Sequence, residues 1–285
     1  MLALVLACCV APSPARSAFE FAGEGARSLG QGGACVAGVG AVEYLWHNPA
    51  ANARVSHLGL SATHARLYPT LDADLNLSAL GAVVPAGAGV VHAGLSTFGM
   101  DGWKEQVAAL GYGWAPHERV ALGSTLWSMG WDAGALSKRA WRWDLGLTYD
   151  VGWVRPETYL RLGCVLEGLI RSNLAAGGQK AGETPRQAVL GLSLDVGLDA
   201  VLFDVELGPE RTAMHAGYVS RIAQLRDAEL RLGASALANG WHGREVDIGV
   251  GRAWPRWRAD YAFTYPLQVT GLGGTHWLSL AYQGH

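Results

Sequence analysis

Nine histidines are spread along this 285-residue chain, at His47, His57, His64, His92, His117, His215, His242, His276 and His285. A helical zinc site needs two histidines four residues apart, and a serine hydrolase of the α/β type carries its nucleophile on a Gly-x-Ser-x-Gly turn. Neither pattern occurs. A closed sheet can bring distant histidines together, so metal binding stays open. A rim site of protease type would draw on Asp101, Asp132 and His242, whose spacing argues for no triad. Gly30-Gln31-Gly32-Gly33 and Gly38-Val39-Gly40 are glycine-rich enough to cradle a phosphate. They lack the preceding strand and the βαβ unit that give such a loop meaning. Cys35 and Cys164 lie too far apart in sequence for a metal or redox motif and are left as one disulfide or two unpaired apolar thiols. The expectation is a protein that is not an enzyme and holds no cofactor.

The charged residues show more order. Arg142, Asp144, Asp150, Arg161, Glu167, Asp195, Asp204, Glu206, Glu229, Arg231, Asp247, Arg256, Arg258 and Asp260 sit in runs where polar and apolar residues alternate. From Ala140 to Trp153, Trp141, Trp143, Leu145, Leu147, Tyr149, Val151 and Trp153 fall on one face of an extended chain, opposite Arg142, Asp144, Gly146, Thr148 and Asp150. Residues 256–265, 158–167 and 228–236 alternate in the same way. This is the period of a strand.

The elements that carry these residues number about fourteen: 55–66, 74–84, 87–98, 103–115, 118–131, 140–153, 157–171, 185–196, 199–208, 211–223, 226–238, 244–254, 256–266 and 275–284. Soluble strands average about 5–6 residues, whereas membrane-crossing strands need about 9–11. Charged residues make up 16% of the chain, against roughly 25% in ordinary soluble proteins. Trp103, Trp114, Trp131, Trp141, Trp153, Trp241, Trp254, Trp257 and Trp277 fall near strand ends, as an interfacial girdle would. Connections after even-numbered strands are tight and most of those after odd-numbered strands are longer, among them 99–102 and 132–139. Outer-membrane barrels have this asymmetry. The fold class expected is all-β, a closed antiparallel transmembrane barrel over residues 55–285. Its apolar side chains face lipid and its charges line the lumen, where they either select a solute or brace the wall as ion pairs. No basic run points to nucleic acid, and the net charge is -2.

Two segments precede the strands. Residues 1–17, MLALVLACCVAPSPARS, have an apolar core, a proline break and a small-x-small ending at Ala15-Arg16-Ser17. They read as a secretory signal peptide cut near Ser17 or Ala18, for Sec export to the outer membrane. A buried apolar segment and a lipoprotein leader ending at Cys8 are the alternatives. Residues 18–54 do not alternate. Asn48 suits a helix cap, with Pro49 at the first helical position. The small residues Ala50, Ala51 and Ala53 fit a confined space.

Gly25-Ala26-Arg27-Ser28-Leu29-Gly30-Gln31-Gly32-Gly33-Ala34, followed by Trp46-His47-Asn48-Pro49-Ala50, resembles the N-terminus of the PorV/PorQ family, barrel relatives of the FadL fatty-acid transporters. The match is dense over about 25 residues. Elsewhere it extends only to barrel strands, including Thr275-His276 and Ser279-Leu280. The chain is short for that family, which implies reduced outer loops, and it closes on Gln283-Gly284-His285 rather than on an aromatic. The resemblance implies a fourteen-stranded barrel with an N-terminal plug in which Arg27, Gly30, Gly32, Gly33, Trp46, Asn48 and Pro49 act in gating. A plain linker is the bland alternative. It also implies one of two roles. One is a conduit for small hydrophobic molecules across the outer membrane. The other is an accessory barrel that docks the partner proteins of a type IX-like secretion system. A secreted soluble β-protein is a third reading.

Overall fold

Alternation at period two gives each strand one face for the lumen and one for the outside. The computed structural model describes residues 25–71, 74–170, 172–174, 186–209, 212–222, 227–237, 244–268 and 273–284, together with positions 19, 23, 224, 225 and 271. Fourteen strands follow in chain order: β1 Gly59–Arg66, β2 Asn76–Ala86, β3 Gly89–Met100, β4 Trp103–His117, β5 Val120–Ala133, β6 Leu136–Arg155, β7 Thr158–Glu167, β8 Gln187–Val196, β9 Asp199–Leu207, β10 Thr212–Arg221, β11 Ala228–Leu237, β12 Glu245–Ala253, β13 Trp257–Pro266 and β14 Thr275–Gln283. Each pairs antiparallel with its sequence neighbours. The last strand pairs with the first, from Gly59 opposite Gln283 to Arg66 opposite His276, and closes the barrel. Full closure leaves no edge strand with unpaired backbone groups, which lipid would not tolerate.

Side-chain direction separates this barrel from a soluble one. Leu80, Leu95, Leu110, Trp141, Leu278 and Leu280 are exposed on the outer wall, while Arg231, Asp144, Asp204 and Asp260 are buried inside. Trp143, Leu145 and Tyr261 also point outward. An apolar exterior around a charged interior is the arrangement of a barrel in lipid, and it removes the soluble alternative. A ten-residue strand is about 34 Å long and covers about 24 Å of membrane when tilted about 45°.

The strand count and order agree with the sequence reading, but two connections do not. The expected loops 99–102 and 132–139 close instead as the two-residue turns Asp101-Gly102 and Gly134-Ala135, with the glycines at φ 87° and 61°. Pairing runs on past the rim: β4, β5 and β6 have 15, 14 and 20 residues, and the β5–β6 register continues to Ala133 opposite Leu136. β6 alone spans roughly 65 Å, so this side of the wall stands above the rest. The longer connections at that end are 67–75, 168–186, 238–244 and 267–274.

The girdle also needs correction. Trp114, Trp141, Trp153, Trp254 and Trp257 are exposed, but Trp277 is only 1% exposed and faces the lumen. Trp131 is partly buried, with its indole N–H donating to the Leu174 carbonyl at 2.9 Å. Trp103 is half-buried, edge-on to Phe98 at 5.5 Å. Trp241 lies outside the described residues. Position near a strand end does not determine which way an indole points; strand parity does.

Candidate functional site

Residues 25–54 fold into short turns. A single helical turn, α1 (Ala26–Leu29), and a 3₁₀ turn (Val42–Trp46) are the regular pieces. Pro49 does not open the expected helix. Asn48 Oδ1 accepts the Ala50 N–H at 2.9 Å, two residues on, and the following bonds, Ala51 N–H to Asn48 O and Ala53 N–H to Ala50 O, span three residues. The Asn48 side-chain amide donates to Val36 O at 2.6 Å and to Leu147 O of β6 at 3.1 Å. Asn48 thus ties the segment both to itself and to the wall, which a helix cap would not do.

The segment meets the inner wall on every side. Ala26 N–H donates to Ser279 Oγ of β14 at 2.8 Å, and α1 also packs on β13. Gly30 lies against Gly249 of β12, and Gly32 against the β10 and β11 backbones at Ala216 and Ala234. His215 of β10 donates to Gly32 O at 2.8 Å, and its other ring nitrogen is 3.1 Å from Glu206. Gly33 abuts the same imidazole. Asp204 of β9 accepts the Cys35 and Val36 N–H groups at 2.6 and 2.9 Å. Val36 rests on Gly163 of β7 and Gly191 of β8, Pro49 on Gly123 of β5 and Gly146 of β6, and Ala53 on Gly113 of β4. Trp46 covers Gly94 of β3, while Val42 and Leu45 cover Gly81 of β2.

The inward glycines are therefore a ring. Gly81 pairs with Gly94, Gly113 with Gly123, Gly123 with Gly146, Gly163 with Gly191, and Gly217 with Gly233. A methyl group at Gly123, Gly163 or Gly233 would come well under 3.0 Å from backbone atoms of Pro49, Val36 or Gly32. Backbone-to-backbone approach leaves no room for a side chain, which explains glycine where a strand would otherwise favour a branched residue.

Two unlike linings flank the segment. On β6–β13 the lumen is charged. Arg231, 0% exposed, donates to Glu229 at 2.9 Å and to Asp260 at 2.6 Å; Arg258 bonds the same two carboxylates at 2.6 and 2.9 Å. Arg142 pairs with Asp144 at 2.9 Å and lies 3.7 Å from Glu167, with its guanidinium 4.6 Å from the Trp127 ring centre. Arg161 holds Asp150 at 2.7 Å, and Arg54 reaches Asp150 at 3.3 Å. Asp195 is 4.0 Å from Arg221, and Asp247 is buried on β12. All the charges assigned to the lumen from alternation lie on inward faces except Arg256, which is exposed in the β12–β13 turn.

From the segment itself, Arg27 stacks over Tyr44 at 5.5 Å. Glu43 is 3% exposed, and Gly25 packs on its carboxyl. Burial pushes the Glu43 carboxyl up to about 7; the Asp260 carboxylate adds to the rise and the Arg27 cation opposes it. Burial lowers His47 to about 4. Arg27 and Glu43 border a cavity of about 120 Å³ at the short-turn end, with Val42, Arg258, Asp260 and Gln283.

The opposite lining escaped the sequence reading. On the long-loop side of the glycine ring, Leu77, Val107, Trp127, Met129, Ala140 and Trp277 all face inward, buried against Trp46 and Leu174. Trp46 and Trp127 meet with ring centres 5.7 Å apart. The available signal was parity: Trp127 and Met129 share a face of β5 with Gly123 and Thr125, not with Leu122 and Leu126. Cys35 and Cys164 form no disulfide. Among the described residues, no cluster of three or more histidine, cysteine or carboxylate side chains could hold a metal ion.

No family model matches the chain, and no curated protein matches it in sequence. Solved structures do match. The Ralstonia pickettii toluene transporter TbuX aligns over 94% of this chain and 100% of its own, at 14% identity and TM-score 0.65. The Pseudomonas putida toluene transporter TodX aligns over 94% and 99%, at 14% identity and TM-score 0.63. A Pseudomonas aeruginosa FadL homologue aligns over 92% and 98%, at 13% identity and TM-score 0.60. At such identities the likeness establishes the fold, and that fold is the closed barrel of the FadL-type outer-membrane proteins.

Proposed function

We propose that this barrel sits in the bacterial outer membrane and conducts small hydrophobic molecules, with residues 18–54 as its plug. The observation that carries this reading is the inward apolar lining of Leu77, Val107, Trp127, Met129 and Trp277, which ends on Trp46 of the N-terminal segment. A lumen built only to hold its wall together has no need of two buried indoles in tilted contact, with ring centres 5.7 Å apart. Apolar pockets with few polar groups suit small apolar ligands. The likeness in fold to two toluene transporters supports the same solute class. The charged half contributes rigidity: its carboxylates and guanidinium groups are engaged with one another. No step here makes or breaks a covalent bond, which is the sense in which the protein is not an enzyme.

The test is uptake of a monoaromatic hydrocarbon by bacterial cells producing the barrel beneath an intact lipopolysaccharide leaflet. Wild-type protein should speed uptake over cells lacking it. Val107→Thr combined with Met129→Gln keeps volume but places polar groups on the route, and should cut the gain at least tenfold. Equal uptake by the variant, with heat-modifiable migration showing a folded barrel, would overturn the reading.

A second role keeps one structural support. The β5–β6 wall rises above the rim and carries Leu136 58% exposed at its tip, a surface suited to docking a partner protein. This is the accessory role implied by the PorV/PorQ resemblance. Crosslinking from position 136 that captures a secreted protein, with no hydrocarbon uptake, favours that role.

A further inference from the structure

Polar side chains interrupt the lipid-facing wall on β4–β6. Leu110, Leu126 and Trp143 form one outward row, and Ala108, Ser128 and Trp141 the next toward the long-loop end. Gln106, Gly130 and Arg139 follow, then Lys104, Asp132 and Ser137. Lys104, Gln106, Ser137 and Arg139 are exposed, and they alternate with Glu105, Val107, Trp127, Met129 and Ala140, which are buried toward the lumen.

The depth of these rows follows from β6 itself. Trp141 and Trp153, both exposed, bound its apolar outer face. About 3.4 Å per residue and a tilt of about 45° separate them by roughly 28 Å in height, close to the ~25 Å apolar band of an outer-membrane barrel. Arg139, on the same face beyond Trp141, then lies about 5 Å above the band at the long-loop end, where the outer-leaflet headgroups are.

The surface there is recessed and cationic. Gly130 has no side chain, and Arg139 folds into the space: a Cβ on Gly130 would lie 3.3 Å from Arg139 Cγ and 3.9 Å from its Nε. The guanidinium stem thus leans across β5 toward Lys104 of β4. The two backbones start about 12 Å apart, two strand spacings across and two residues along. Asp132 is the carboxylate between them, and among the described residues neither cation is held in an ion pair. Asp101 in the β3–β4 turn and Lys138 on the alternate face are exposed and offset each other in charge.

We propose that this recess binds the phosphorylated headgroup of lipopolysaccharide. Lys104 and Arg139 take the phosphates, Gln106 and Ser137 the sugar hydroxyls, and Leu110 and Leu126 lie below against the acyl chains. Arginine suits a phosphate because its fork presents parallel N–H donors. Cations on the lipid face cost almost nothing at this depth, yet strand pairing does not call for them. A protein partner in water would have to displace lipid to reach it. The proposal rests on the outer-membrane placement above and is independent of what the lumen conducts.

The test is a native mass-spectrometric titration of the full-length barrel in detergent with diphosphorylated lipid A, in the presence of a chelator. A basic residue at an anionic lipid surface contributes about fivefold in affinity, so Lys104→Gln combined with Arg139→Gln should weaken binding roughly 25-fold. Asp132→Asn should tighten it. Dephosphorylated lipid A should bind the wild type as weakly as lipid A binds the double variant. The substituted side chains are exposed, and heat-modifiable migration checks that the variant barrel is folded. Equal lipid A affinity in wild type and double variant overturns the proposal. So does an equal loss for phosphatidylglycerol, which would mark a general anionic surface. Hydrocarbon uptake by the double variant should match wild type, so a failed titration leaves the conduit reading standing. Recovery of the barrel outside the outer membrane would sink that reading whatever the titration shows.

Discussion

The glycine ring offers the sharpest perturbation, because it lies between the N-terminal segment and the wall. Substituting alanine at Gly163 places a methyl group inside the lumen, where it meets the Val36 backbone well under 3.0 Å away. The strand itself accepts alanine, since Gly163 pairs normally with Thr148 and Gly191 and is not in the left-handed region. The clash is thus resolved by moving the segment rather than by unfolding the barrel. Overpacking of this kind costs typically 1–3 kcal/mol, a shift of about 5- to 150-fold in the seated-to-released ratio. Gly123→Ala and Gly233→Ala strike the segment at Pro49 and Gly32, on other strands. Such separated effects add, so the triple variant loses roughly 3–9 kcal/mol of seating energy. The assay is single-channel conductance in planar bilayers, with heat-modifiable migration as the check on the barrel. The single variants should open more often than wild type, and the triple variant should stay open. Gly271→Ala, with open space around it, should behave as wild type. A triple variant with an intact barrel and unchanged conductance would refute the view that residues 25–54 close the lumen.

Two further outcomes follow from the charged half. Asp260→Asn leaves Arg231, wholly buried, and Arg258 without the full counter-charge they now share with Glu229. Breaking a buried pair typically costs 3–5 kcal/mol, so the heat-modification midpoint should fall clearly; an unchanged midpoint would show that the quartet adds no stability. Glu43 binds a proton more tightly when seated, at about 7 against an ordinary 4.5. Its contribution to seating is therefore full below about pH 4.5 and is lost as pH rises through 7. His47 works in the other direction, but only between about pH 4 and 6.5. Between pH 6.5 and 8, then, wild-type channels should open more readily as pH rises, and Glu43→Gln should flatten that dependence; an identical pH profile in the variant counts against it.

The strands were legible because their chemistry is local. Trp143, Leu145 and Leu147 alternate with Arg142, Asp144 and Gly146, and lipid outside a wet interior demands that pattern whatever the neighbours are. Fourteen such runs with turns between them leave closure as the way to satisfy every edge. The N-terminal motif was visible for the same reason: Gly30, Gly32, Gly33, Asn48 and Pro49 are residue types chosen by backbone geometry.

What only the tertiary structure decided is what those residues meet. Gly123, Gly163 and Gly233 look like ordinary flexible positions in sequence; they are glycine because another backbone passes within contact distance. Trp127 and Trp277 look like girdle residues or none; strand parity turns them inward, onto Trp46. Arg231 and Asp260 lie 29 residues apart and meet at 2.6 Å through the staggered pairing of β11 to β13. Period and residue type are properties of a single strand, readable along the chain. Lumen geometry is a property of the closed ring, set by register and by whatever fills it, and it exists only once the last strand has met the first.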